Sequence, residues 1–198
     1  MKTSIAITVF VLMSIIGITF SYSQENIRKI PAVNKLTDSV ALAYQYDFKD
    51  SLGKTVHLSD FKGKLVMVDI WYSGCGACVQ CNNGITEVHK LLKNKKDLIF
   101  MSISVDVAYD IWLNSITKGA KATQKALWPG RYTPFPGTIT VNTGGNGENN
   151  IFIKKYVPAH AYPQLLLFDK SGKLISSNPP RPDYNPTELA NYILKYLN

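Results

Sequence analysis

The chain carries three cysteines, Cys75, Cys78 and Cys81, and all of them fall within seven of its 198 residues. A structural framework would spread its bridges along the chain, so this crowding marks a site. Cys75-Gly-Ala-Cys78 is a C-x-x-C pair that follows a long apolar run. Such a pair can alternate between two thiols and one disulfide. If a helix opens at Cys75, its unpaired N–H groups and partial positive charge favour a thiolate there. Cys78 then lies one turn on, placed to resolve an intermolecular disulfide from within. A free thiol with a pKa of about 8.5 is only about 3% thiolate at pH 7, whereas one near 7 is about half ionised. That gain of about 15-fold is offset about 5-fold by falling nucleophilicity. Stabilising the reduced form and improving the leaving thiolate therefore matter as much as faster attack.

The same cysteines admit a second chemistry. Cys75, Cys78 and His160 are soft or borderline donors suited to Cu(I), as in the Sco-type metallochaperones. Those proteins space their cysteines more widely, and a lone His before a turn commonly faces solvent or plays a structural part. The redox reading is preferred, and it requires neither a metal nor an organic cofactor. Cys81 is either an alternative disulfide partner or a small buried apolar residue. Asp69 lies six residues before Cys75 in apolar surroundings, which raise a carboxyl pKa and suit it to accept the proton of a resolving thiol. Pro163 opens a late strand, where a missing N–H is tolerated; a cis bond there would expose the preceding backbone to a client chain. Trp71 and Tyr162, one on each side of the pair in the sequence, are expected to contact such a client, although Trp71 also suits a place beneath the site.

The elements that hold these residues make the chain read as α/β. Val40 to Phe48 is strand-like, the turn falls around Asp50 to Gly53, and Thr55 to Leu58 returns as the second arm of a hairpin. Ser59 to Lys64 connects to Leu65–Trp71, a near-continuous apolar run suited to a central buried strand. A helix is expected from Cys75, or just after it, to about Leu92, with Gly84 weakening it. Leu98 to Val105 is a second buried strand and Ala108 to Ile116 a second helix. Residues 119–150 are rich in Gly and Pro and read as an irregular surface insertion. Ile151 to Tyr156 is a short helix, and Gln164–Phe168 and Lys173–Ser176 form a hairpin. The last helix has Asn185 as N-cap, Pro186 first and Glu188 three after the cap, and is expected to include Tyr196. The result is a small mixed sheet covered on both faces.

Residues 1–23 read as an export signal: Lys2, then an apolar run from Ile5 to Phe20, then Ser21 and Ser23 before a cut ahead of Gln24. The run is short for a membrane span, so cleavage is favoured over an uncleaved N-terminal anchor. Residues 24–39 form a polar tail and 40–198 the domain. The formal net charge is +8, with the lysines scattered along the chain. An exported protein meets little nucleic acid, so none is expected as a partner.

The segment Val68-Asp-Ile-Trp-Tyr-Ser-Gly-Cys-Gly-Ala-Cys78 resembles the active-site region of the TlpA-like thiol-disulfide oxidoreductases of the thioredoxin superfamily. Phe48, Gly53, Leu58 to Phe61, Gly63 and Lys64 resemble the N-terminal hairpin and Gly-Lys lead-in of that branch. Phe152-Ile-Lys-Lys-Tyr156 and Tyr162 to Lys173 resemble its helix, cis-proline strand and turn. The resemblance covers residues 40–112 and 151–198. It implies a thioredoxin-like fold in which Cys75 attacks, Cys78 resolves, Asp69 takes the place of the buried acid and Pro163 is the cis-proline facing the pair. It implies clients among cysteine-containing exported proteins, a recycling partner in the membrane or envelope, and a location in the cell envelope or periplasm. The sequence departs from the family at three points. Gly74 replaces the aromatic that commonly precedes the first Cys, which should leave that thiol more open. Ala77 stands where proline is common, and Tyr162 where a smaller residue usually precedes the proline.

Overall fold

Strand β3 (Leu65–Trp71) has all seven residues buried, as an apolar run needs when both faces of a sheet are covered. Its period-two alternation splits those residues between two cores. Val66, Val68 and Ile70 enter one cluster with Phe152, Ile153, Leu166 and Phe168. Leu65 and Met67 enter the other with Ile85, Val88, Leu189 and Ile193. Asp69 and Trp71 share the second face by the same alternation. The computed structural model describes residues 43–120 and 130–197; the expected signal, tail and Val40–Leu42 lie outside the described residues, as does 121–129.

The hairpin strands are β1 (Asp47–Lys49) and β2 (Thr55–His57). They are followed by a short 3-10 turn over Leu58–Phe61, then by β3. Helix α1 (Gly76–Leu92), β4 (Leu98–Ser104) and α2 (Tyr109–Ile116) come next. After them stand β5 (Ile139–Asn142), α3 (Ile151–Tyr156), β6 (Gln164–Phe168), β7 (Leu174–Ser176) and α4 (Pro186–Leu194). The strands form one mixed seven-stranded sheet in the order β2-β1-β5-β4-β3-β6-β7. β4 runs parallel to β3 and to β5, and β6 runs antiparallel to β3. This is the flanked central sheet the sequence implied.

Three expectations need correction. The first strand is shorter than expected: residues 43–45 form a turn, because Tyr46 points into the core, edge-on to Phe152 at 5.2 Å, while the Tyr44 hydroxyl donates to the Lys170 carbonyl. The span 119–150 is not irregular throughout. Ile139 to Asn142 pair with Met101 to Ser104, because β4 offers a full parallel edge, and Tyr132 and Phe135 are buried. Helix α4 ends at Leu194, before Tyr196.

Gly84 looked like a weakness of α1 and has a steric reason. A Cβ there would lie 2.5 Å from the backbone carbonyl of Pro182, so only glycine lets the lead-in to α4 cross the helix this closely.

Candidate active site

Cys75 is the N-cap of α1 and its Sγ accepts a hydrogen bond from the Cys78 backbone N–H at 3.1 Å. The helix start therefore directs a donor at this sulfur, as the thiolate argument requires. Cys75 and Cys78 are joined by a disulfide with their Cα atoms 5.2 Å apart. Cys78 is fully buried and Cys75 is only 6% exposed, so the first sulfur is less open than the missing aromatic suggested. Gly74 holds φ at +91°, a conformation that side-chain-bearing residues rarely adopt; the backbone requires glycine there.

Ser73 and Gly74 are held from behind by a polar network. The Asp106 carboxylate accepts from the Ser73 backbone N–H at 3.0 Å and from the Ser73 hydroxyl at 2.7 Å. It also accepts from the Ser104 hydroxyl at 2.7 Å. Ser115 of α2 donates to the Ser73 hydroxyl at 2.6 Å, and the Asn142 amide of β5 donates to the Asp106 carbonyl at 2.8 Å. Three elements thus fix the loop that carries Cys75.

Beneath the disulfide lie Trp71, Trp112 and Tyr132. For Trp71, read both as a client contact and as a residue beneath the site, the client contact is corrected: it is 1% exposed and its ring stacks on Tyr132 at 3.5 Å, so it floors the site. Asp69 is buried, and burial pushes its pKa up from 3.8 to about 7, with the Tyr132 hydroxyl and Arg181 opposing. Its Oδ2 accepts from the Tyr132 hydroxyl, and its Oδ1 has no hydrogen-bond partner among the described residues. Cys81 is buried and free. Burial pushes its thiol pKa well up, which makes it a packing residue.

The Tyr162–Pro163 bond is cis, and Tyr162 packs against the disulfide cluster. Tyr162 also lines an open groove of about 550 Å³ together with Tyr72, Val107, Glu148 and His160. Within it, His160 Nδ1 lies 3.0 Å from a Glu148 carboxylate oxygen. Among the described residues no three His, Cys, Asp or Glu side chains gather as a metal ion would need, so Cys75, Cys78 and His160 are not brought together.

Sequence reasoning missed Tyr132, Asp106, Ser73 and Glu148. Only Asp106 left a signal: Ser102 and Ser104 interrupt a buried apolar strand just before it, and polar atoms in such a place need partners.

The Redoxin family profile matches residues 28–193. The chain belongs to the Redoxin family. This redoxin is a thiol-disulfide oxidoreductase of the thioredoxin superfamily, consistent with the TlpA-like resemblance. Its fold is found in a Bacteroides vulgatus protein described provisionally as a thiol-disulfide oxidoreductase, at 30% identity over 76% of this chain and 86% of that one, with a TM-score of 0.55. The thioredoxin domain of a thiol-disulfide oxidoreductase from the same organism matches at 23% identity over 77% and 93%, with a TM-score of 0.56. A thiol-disulfide oxidoreductase from Bacteroides fragilis matches at 18% over 77% and 96%, with a TM-score of 0.55. No curated protein matches this redoxin.

Proposed function

We propose that this redoxin is exported and exchanges disulfides with cysteine-containing exported proteins of the cell envelope or periplasm through Cys75 and Cys78. The observation that carries the reading is the Cys75–Cys78 disulfide at the N-terminus of α1, beside a groove walled by Tyr162. In the reducing direction the Cys75 thiolate attacks a client disulfide. A Cys75–client bond forms and one client thiolate leaves. The Cys78 thiolate, its proton taken by Asp69, then attacks the Cys75 sulfur. The second client thiolate leaves, and the protein is oxidised by two electrons as the client is reduced. The reverse sequence oxidises a client dithiol. A thiol-disulfide recycling partner in the membrane or envelope resets the pair and fixes the direction. Clients lie along Tyr162 and Pro163 in the groove, and the N-terminal segment delivers the protein as a cleaved signal.

The test is a trap. Cys78→Ala expressed in cells should accumulate mixed disulfides between Cys75 and envelope proteins, and Cys75→Ser should abolish exchange with a test disulfide. A folded Cys78→Ala protein that captures no partner would overturn the assignment.

A further inference from the structure

The chain of hydrogen bonds under the disulfide has a fixed direction. An indole N–H can only donate, and that of Trp71 donates to the Ser102 hydroxyl at 2.8 Å. With its oxygen so engaged, Ser102 donates to the Tyr132 hydroxyl at 3.2 Å. Tyr132 in turn spends its only proton on Asp69 Oδ2. All four residues are at most 4% exposed, so water does not compete, and each donor polarises the next. The carboxylate at the end receives a donor that stabilises its charged form, and Oδ1, without a partner among the described residues, is the oxygen that can take the proton.

Tyr132 is held for this task from two sides. Its ring lies against Trp71, nearly parallel at 5°. Its backbone N–H donates to the Ser115 carbonyl at 3.2 Å, and the Gly130 N–H donates to the Asn114 carbonyl at 2.9 Å, so α2 anchors residues 130–132. It also packs with Cys75 and Cys78.

We propose that the Tyr132 hydroxyl sets the proton affinity of Asp69 and is a positioning residue through which residues 130–138, ahead of β5, tune the redox centre. The consequence for catalysis rests on the reading of Asp69 as the base for Cys78. Burial alone would hold Asp69 protonated at neutral pH, and the Tyr132 donor opposes that. The other groups facing Asp69 are Cys81 of α1, and Arg181 from the lead-in to α4, itself paired with Asp183. β4 supplies Ser102, and β6 supplies Leu165 opposite Asp69. Among the described residues Arg181 is the only cation facing it, and its distance-dependent attraction does not replace a direct hydrogen bond.

Two readouts separate this role from packing. The carboxyl carbon of Asp69, followed by NMR in the oxidised protein, should titrate about 1 to 2 pH units higher in Tyr132→Phe, since a hydrogen bond to a charged group is lost. The pH profile for resolution of a trapped mixed disulfide should move alkaline by a similar amount. In an Asp69→Asn background, Tyr132→Phe should leave that profile unmoved. 3-Fluorotyrosine at position 132 preserves ring and stack while strengthening the donor, so it should lower the midpoint even if Tyr132→Phe folds poorly. An unchanged Asp69 midpoint in both variants overturns the proposal, as does an equal effect of Tyr132→Phe with and without the Asp69 carboxyl. If the midpoint moves but Asp69→Asn resolves mixed disulfides at the normal rate, the tuning stands and the base assignment fails.

Discussion

Asp106 holds the turn that carries Cys75 without touching a sulfur. Its carboxylate gathers the Ser73 N–H, the Ser73 hydroxyl and the Ser104 hydroxyl, so the turn leading into Cys75 is fixed by side-chain bonds. Asp106→Ala leaves those donors unpaired in a half-buried place, each hydrogen bond to a charged group being worth about 1.5–3 kcal/mol. Partial exposure reduces that, so a stability loss of about 2 kcal/mol in denaturant unfolding is expected. The rate of attack on a test disulfide should fall with it. Asp106→Asn retains the shape and one acceptor and should recover part of both; an Ala variant as fast and as stable as the parent would show that the turn holds itself.

Helix α1 sets two effects against each other at Gly84. Helix propensity alone would make Gly84→Ala a gain of about 1 kcal/mol. The added methyl, however, would sit 2.5 Å from Pro182 backbone atoms that cannot rotate away, and overpacking of this kind costs about 1–3 kcal/mol. The clash should win, lowering the melting temperature and loosening the α1–α4 packing. A stabilised Gly84→Ala protein would mean that the Pro182 backbone shifts freely. This position also shows where the sequence was legible. The C-x-x-C after an apolar run marked the start of α1, and Asn185-Pro186 with Glu188 marked the start of α4, because caps are local signals. The cysteine pair stood out by such a signal, and the buried place of Asp69 followed from the apolar run around it and from the resemblance. β5 was not legible, since four residues among Gly and Pro become a strand only when β4 offers its edge. Tyr132 was invisible for the same reason: its partner Asp69 is 63 residues away in the chain, and nothing near Tyr132 announces it. Trp71 kept two readings, client contact and floor, because its place in the motif says nothing about which way the ring turns.

A carboxyl buried in the core, as Asp69 is, should leave a mark on the stability of the protein. In the unfolded chain Asp69 titrates at its ordinary value of 3.8, and in the folded protein at about 7. Between those values the folded state keeps a proton that the unfolded state has released, so folding takes up a proton and stability falls as pH rises from about 4 to about 7. Above that the loss is complete, amounting to about 4 kcal/mol as an upper figure. Other groups run the opposite way. Asp97, beside Lys64, and Asp169, with its hydroxyl and backbone donors, are held below the usual carboxylate value, so they add stability as pH rises through the acid range. His89 is lowered by burial and also favours the folded state as pH rises. The difference between the parent and Asp69→Asn isolates the buried acid, because the other groups are common to both. In the oxidised protein, where Cys75 and Cys78 do not titrate, denaturant unfolding from pH 4 to 8 should show Asp69→Asn gaining on the parent steadily up to about pH 7 and holding level beyond. Parallel curves would mean that the carboxyl ionises in the core as easily as in water, and the proton store beneath the disulfide would then not exist.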